Sequence, residues 1–441
     1  MKAAFYTLGC KVNQYEAQIL AQQFADAGYE IVPPEMPADV YVVNSCTVTA
    51  SGDQKTRRVL RRFRALCPGA TVVLTGCYPQ AFPDDAARLA EADVIAGARD
   101  RAALVELVRR ARETRGRIVA VTPHERGEPF EPMRAAAFRE RTRAFVKIED
   151  GCDRYCAYCI IPQARGPVRS KPPGELRAEL EGLARAGYRE AVLVGINLSS
   201  YGRELGLRLI DAVELACAVD GIERVRLGSL EPELLTGGDI ARMARQPKLC
   251  PQFHLSLQSG CDATLARMRR HYDTAEYMRI VQSLRAHFEN CAITTDVMVG
   301  FPGETDAEFE QSLSFVESLG LAKAHVFAYS RRPGTRAADM PGQLPGAVKE
   351  ARSARMIEAT DRTRAAFLAG QAGRTVGVLF ETRDGGALDG YAENYTPVRV
   401  FTDEDLRGQI RRVLITSADG ARCVGTLAPD ARHDCMMEGN T

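Results

Sequence analysis

The chain has 441 residues, 45% of them hydrophobic and 26% charged, with a formal net charge of +1. That length asks for two or three domains, and the composition excludes wholesale disorder. With charges so nearly balanced, any nucleic-acid-binding surface has to come from local clusters of basic residues.

The opening stretch MKAAFYTLGCKVNQ is too polar for a signal peptide, and no run of about 18 apolar residues follows. A cytoplasmic protein with no membrane partner is expected. Residues 1–115 alternate apolar runs (AAFYTLG, DVYVVNS, TVVLTG) with helical patterns such as 14–28. They read as buried parallel strands of a small α/β layer domain. Each run ends in a cysteine: Cys10, Cys46 and Cys77. Ligands of open parallel sheets gather beyond the carboxyl ends of the strands, so three distant thiols can converge there. Cys67, in ALCPGA, falls in a turn and stands outside this pattern. Residues 116–140 hold three prolines and many charges and read as a linker.

From 141 to 368 six apolar runs alternate with helical ones: RAFVKIE, EAVLVGIN, RVRLGSL, QFHLSLQ, ITTDVMVG and KAHVFAYS. Helices are expected at 174–187, 208–218, 274–288 and 305–319. Six such alternations predict a partial (β/α)6, TIM-like barrel with its chemistry in the loops after the strands. Cys217 has apolar neighbours at helical spacing and is expected in the core. Residues 371–435 turn to short alternating strands with Gly and Asp turns, which predict a small antiparallel β-barrel. The fold class is α/β, in three parts.

The loop after the first of the six strands, GCDRYCAYCIIP, sets Cys152, Cys156 and Cys159 in C-x3-C-x2-C spacing. Thirteen cysteines are many for a reducing compartment, where thiols serve more often as metal ligands or catalysts than as disulfides. The six histidines (124, 254, 271, 287, 325, 433) form no pair of the kind that completes a zinc site. The closely spaced runs of four cysteines found in two-cluster ferredoxins are also missing. An iron–sulfur cubane on three thiolates remains, with one iron open to an outside ligand.

C-x3-C-x-aromatic-C, with Tyr158 as the aromatic, resembles the signature of radical S-adenosylmethionine (SAM) enzymes. TLGCKVNQYE, NSCTVTASGDQKTR, TGCYPQ, KIEDGCDRYCAYCIIPQARGPVRS, GINLSSYG, HLSLQSG and TTDVMVGFPGETDAEFE together resemble the methylthiotransferases of that superfamily, in order across nearly the whole chain. TLGCKVNQYE and CIIPQARGPVRS are similar to the branch acting on N6-threonylcarbamoyladenosine beside the tRNA anticodon. The branches acting on isopentenyladenosine and on a ribosomal-protein aspartate tend to read GCQMN and LGCPKN at the first cysteine.

The resemblance implies a methylthiotransferase N-terminal domain at 1–115, a radical SAM core at 141–368 and an RNA-binding TRAM domain at 371–435. It implies a 4Fe–4S cluster on Cys152, Cys156 and Cys159, whose open iron binds SAM and whose electron cleaves it to a 5′-deoxyadenosyl radical. A second 4Fe–4S cluster, on Cys10, Cys46 and Cys77, would carry the sulfur to be transferred. SAM then has two roles, methyl donor and radical source, and no catalytic residue beyond the cluster ligands is required. The implied partners are a tRNA anticodon stem-loop and an electron donor such as flavodoxin or ferredoxin.

Strand-end residues Gly195, Asn197, Glu231, Gln258 and Asp296, with Tyr158, are the expected SAM contacts. Arg57, Arg58, Arg61 and Arg62 on one helix, Arg269 and Arg270 in RMRRHY, and Arg411 and Arg412 in QIRRVL are expected RNA contacts. Tyr391 and Tyr395 are available for base stacking. The alternatives are methylthiolation of isopentenyladenosine or of a protein aspartate and, from another class, a non-catalytic RNA-binding protein with structural zinc.

Overall fold

The computed structural model describes residues 1–135 and 142–429. Six parallel strands form the N-terminal sheet, in spatial order Glu30–Val32, Lys2–Thr7, Val40–Ser45, Thr71–Gly76, Val94–Ala96 and Ile118–Ala120. Val40–Ser45 and Thr71–Gly76 are buried along their whole length, as strands covered on both faces must be. From Lys2–Thr7 the chain runs outward through helix Lys11–Asp26 to one edge, then crosses back to the other side. The strand order therefore reverses between Lys2–Thr7 and Val40–Ser45, which opens a crevice beyond their carboxyl ends. Cys10 follows the first of these strands and Cys46 the second.

The expected linker is corrected in two places. Ile118–Ala120 pairs with Val94–Ala96 as the sixth strand, its three residues being too short a run to stand out among the prolines and charges that follow. Met133 and Ala135 lie buried in the central core, where the Met133 carbonyl accepts from Tyr15 Oη (2.9 Å) and Lys171 Nζ (3.0 Å). Residues 136–140 fall outside the described residues.

The central part is a half-barrel of six parallel strands: Arg143–Lys147, Glu190–Val194, Arg224–Leu227 continued by Ser229–Leu230, Gln252–Leu255, Ala292–Val299 and Lys323–Ala328. Helices Pro173–Arg185, Leu209–Cys217, Thr274–His287 and Asp306–Ser318 fall where the apolar spacing places them. Cys217 is in the core as expected. The long helix Gly346–Ala369 packs against Lys323–Ala328, the last strand of the half-barrel.

Five strands then close a small barrel in the order Thr375–Asp384, Ala387–Ala392, Pro397–Phe401, Cys423–Leu427 and Ile410–Ala418. Its pairings are antiparallel except the one between Pro397–Phe401 and Cys423–Leu427. Residues 430–435 of the expected tail domain fall outside the described residues. This barrel docks on the amino ends of the half-barrel strands. Arg224 Nη2 meets Glu393 Oε1 at 3.0 Å, and Arg226 Nη1 donates to the Glu393 carbonyl at 2.8 Å. Tyr391 and Tyr395 stack on each other at 4.6 Å, beneath the guanidinium of Arg143. Arg226 lies over Tyr395 at 4.7 Å. These rings, expected to stack on bases, are committed to an internal joint. Among the described residues no helix is long and apolar enough to cross a membrane.

Candidate functional site

Helix Lys11–Asp26 begins directly after Cys10, so Asn13 and Glu16 are buried in its first turns, one turn apart on one face. Asn13 Nδ2 donates to the carbonyls of Leu8 (2.8 Å) and Ser45 (2.9 Å), tying together the loops that carry Cys10 and Cys46. Asn13 Oδ1 stands 3.8 Å from Cys10 Sγ and 4.0 Å from Cys77 Sγ. Gly9, at φ +107°, lets Cys46 approach: a Cβ there would sit 2.7 Å from Cys46 Cβ. The three strand-end cysteines are thus gathered around one asparagine. Burial pushes the Cys77 thiol up to about 12, against the pull of the Arg165 guanidinium. Cys67 is elsewhere, its sulfur 3.5 Å from Tyr41 Oη.

The second set lies beyond the first half-barrel strand. The Cys152 amide donates to the Gly166 carbonyl and the Cys159 amide to the Cys156 carbonyl, each at 3.0 Å, which folds the loop onto the segment that follows it. Asn197 Nδ2 is 3.8 Å from Cys152 Sγ, and Arg270 Nη1 is 3.2 Å from Cys156 Sγ and 3.5 Å from Tyr158 Oη. Arg270 also pairs with Glu231. Tyr158, Asn197 and Glu231 are therefore brought to the cysteine loop. Gly195 leaves room for a carboxylate, since a Cβ there would lie 2.5 Å from Glu149 Oε2. Gln258 holds a left-handed turn at φ +67° at the end of its strand, donating its amide to the Asp296 carbonyl at 2.9 Å. The Asp296 carboxylate instead faces His254 Nε2 at 3.4 Å.

Arg270 is a correction. Its side chain is 3% exposed and belongs to the cysteine loop, not to an RNA-facing surface. Its neighbour Arg269 is exposed.

Between the two sets runs a buried ionic seam that the sequence reading missed. Glu16 meets Arg165 Nη1 at 2.5 Å, Lys147 Nζ at 2.7 Å and Arg101 Nη2 at 2.9 Å. Asp150 meets Lys147 at 2.5 Å and Arg169 at 3.2 Å. Burial alone would push the Glu16 carboxyl up, but Arg101, Arg165 and Lys147 outweigh it and hold it at about 2. Arg165 Nε points at Cys77 Sγ, 3.1 Å away. The available signal was the density of charge in KIED and PQARGPVR, beside the strand end and the cysteine loop.

Glu149 is the other residue missed. Its Oε2 accepts from the Asn197 amide at 2.7 Å, while burial holds its carboxyl well above the usual range. Glu149 Oε1 and Asn197 Oδ1 are buried with no hydrogen-bond partner. Two such oxygens beside a three-thiol loop fit a cluster carrying a ligand with N–H donors. Among the described residues no three His, Cys, Asp or Glu side chains gather around a single-ion position. A cubane presents its irons at separate corners and needs no such point.

A family model described as Uncharacterized protein family UPF0004 matches residues 2–97, the stretch holding Cys10, Cys46 and Cys77. One described as Radical SAM superfamily matches residues 146–316, which hold the other three cysteines. The threonylcarbamoyladenosine tRNA methylthiotransferase MtaB of Bacillus subtilis (strain 168) is 37% identical over 424 residues, covering 94% of both chains. Its counterpart from Thermotoga maritima is 39% identical over 347 residues, 78% of this chain and 79% of the relative. The chain belongs to the MtaB-type methylthiotransferase family.

A tRNA-2-methylthio-N(6)-dimethylallyladenosine synthase of Symbiobacterium thermophilum is also 35% identical, over 93% of this chain and 91% of its own. Among solved structures, the radical SAM methyltransferase TsrM from Kitasatospora setae, with tryptophan and a SAM analogue bound, shares the fold. Its TM-score is 0.57 at 14% identity, over 87% of this chain and 79% of that one. In this methylthiotransferase family member the two matched regions meet along the buried seam.

On helix Ala50–Leu66, Arg57 donates to Tyr78 Oη at 2.8 Å and Arg61 pairs with Glu91 at 3.0 Å. Arg62 reaches Glu35 at 3.9 Å, and Arg58 is exposed with no hydrogen bond or ion pair among the described residues. Arg411 is half-buried and Arg412 exposed on strand Ile410–Ala418.

Proposed function

We propose that the chain is a radical SAM enzyme that methylthiolates C2 of N6-threonylcarbamoyladenosine next to the anticodon of tRNA. The observation that carries this reading is the pair of three-cysteine sites held on either side of one buried seam. Residues 1–115 serve as the methylthiotransferase N-terminal domain, 141–368 as the radical SAM core and 371–435 as an RNA-binding TRAM domain. Cys152, Cys156 and Cys159 would hold one 4Fe–4S cluster with SAM at its open corner, and Cys10, Cys46 and Cys77 a second.

When bound, these groups supply the electron that cleaves SAM and the sulfur that is methylated and transferred. The chain's own residues position them. Glu149 Oε1 and Asn197 Oδ1 offer unpaired acceptors to the amino group of SAM. Arg270 fixes the cysteine loop against Glu231 and meets Tyr158 Oη at 3.5 Å. The buried seam ties the segment carrying Cys10 to the segments flanking the Cys152 loop, and so holds the two sets in a fixed relation. Helix Ala50–Leu66 and strand Ile410–Ala418 offer cations to the tRNA backbone, and an electron donor such as flavodoxin or ferredoxin completes the reaction.

A second reading, methylthiolation of isopentenyladenosine, is favoured by the 35% identity to the dimethylallyladenosine synthase. Mass spectrometry of tRNA nucleosides from a deletion strain separates the two. The 2-methylthio form of threonylcarbamoyladenosine is expected to vanish and its unmodified precursor to accumulate. Loss of the isopentenyl derivative instead decides for the second reading, and unchanged tRNA overturns both.

A further inference from the structure

We propose that Arg165 is a positioning residue that sets the electrostatics of the Cys10, Cys46 and Cys77 site and fixes that site against the Cys152 loop. The inference rests on the reading that both cysteine sets hold clusters.

Arg165 ends the short helix Ile161–Arg165 that follows Cys159, and the carbonyl of the next residue, Gly166, accepts from the Cys152 amide. The backbone here therefore belongs to one cysteine set while the side chain reaches the other. Every edge of the guanidinium is occupied. Nη1 donates to Glu16 Oε1 at 2.5 Å. Nη2 donates to Glu16 Oε2 at 3.0 Å and to Asn13 Oδ1 at 2.6 Å. Nε is left facing Cys77 Sγ at 3.1 Å. A planar fork gripped through both Nη atoms by one carboxylate and held by Asn13 besides has no freedom to swing away. Glu16 is itself held by Lys147 and Arg101. Among the described residues Arg165 is the one cation bonded to a sulfur of this set.

A hydrogen bond and a positive charge on a cluster thiolate favour the more negative, reduced state and so raise the reduction potential. Full burial strengthens the effect, because little water screens the charge. Arg270 stands in the same relation to Cys156, so each cluster has its own arginine and the two are separable by mutation.

The test is an EPR-monitored redox titration of the full chain carrying both clusters, for wild type, Arg165→Lys and Arg165→Gln. Signals are assigned with a chain in which Cys152, Cys156 and Cys159 are replaced by Ala. Both variants are expected to load iron and sulfide as wild type does. In Arg165→Gln the midpoint of the Cys10, Cys46 and Cys77 cluster moves to more negative potential. The expected size is a tenfold change in the oxidised-to-reduced ratio at fixed potential, about 59 mV for one electron. Arg165→Lys, which keeps the charge and loses the fork, shifts it less, and the other cluster is unmoved in both. If Arg165→Gln fails to load, the Lys variant decides alone. Unchanged midpoints in loaded variants, or equal shifts in both clusters, overturn the proposal. Failure of the underlying reading shows up separately, as wild-type chain that loads only one cluster.

Discussion

Arg270 Nη1 lies 3.2 Å from the Cys156 sulfur while its Nη2 pairs with Glu231 at the end of the third half-barrel strand. One buried arginine thereby joins the cysteine loop to a different strand end. Replacing Arg270 with Ala leaves Glu231 without its partner, at a cost of about 3 kcal/mol. Denaturant unfolding should show that loss, and a redox titration should move the midpoint of the Cys152, Cys156 and Cys159 cluster to more negative potential with the other unmoved. Full stability with weakened tRNA binding alone would return Arg270 to the surface role expected from RMRRHY.

Cys77 separates the two cysteine sets in the opposite direction. Cys77→Ala is expected to remove about half of the iron and sulfide bound by a chain with two 4Fe–4S clusters. Reductive cleavage of SAM should survive, because Cys152, Cys156 and Cys159 are untouched, while methylthio transfer is lost. If Cys77→Ala kept the full iron content, the strand-end cysteines would not be a cluster site.

The seam makes the joint between the N-terminal sheet and the half-barrel sensitive to acid. Glu16 is held at about 2, below its ordinary 4.5, by Arg101, Arg165 and Lys147 acting against burial. A carboxyl depressed on folding contributes stability that is complete above about 4.5 and drains away as pH falls toward 2. Thermal melts of the full chain should soften across that window. Glu16→Gln should flatten the acid dependence and cost about 3 kcal/mol at neutral pH, because three buried cations lose their shared anion. An unchanged acid profile in that variant would show that Glu16 does not hold the seam.

The strands and helices of the half-barrel were legible because each apolar run keeps one period for long enough to declare its type. The six cysteines were legible because each of the N-terminal three ends a strand and the others share one loop. The seam was not, because Glu16, Lys147 and Arg165 come from three distant segments. Singly, each reads as an ordinary solvated charge, and a buried charge is recognised only by its partner. Ile118–Ala120 was hidden for a simpler reason: three residues are too few to show a period. Arg270 was misread because its run of cations faces two ways, with Arg269 exposed and Arg270 turned inward.

Tyr391 and Tyr395 stack on each other and under Arg143 and Arg226, at the joint between the closed barrel and the half-barrel. Tyr395→Ala removes one ring from a stacked pair and two cation–π contacts, worth about 2 kcal/mol together. Limited proteolysis should then cut sooner near residue 372, where the barrel joins helix Gly346–Ala369. An RNA-stacking role predicts the reverse, namely weaker tRNA binding with unchanged proteolysis.

Helix Ala50–Leu66 carries five arginines, but their partners make them unequal. Arg57 is engaged by Tyr78 and Arg61 by Glu91, whereas Arg58 is exposed and unpaired among the described residues. A cation already neutralised by a carboxylate releases little of the counterion atmosphere when it meets a phosphate. Arg58→Ala should therefore weaken tRNA binding at low salt and lower the slope of log K against log salt by roughly 0.7–0.9. Arg61→Ala should change that slope less, since Glu91 already neutralises Arg61. Binding of a transcript anticodon stem-loop between 50 and 200 mM salt, roughly the range over which such contacts are titrated, reads both effects. Equal slopes for wild type and Arg58→Ala would move the tRNA footprint off this helix.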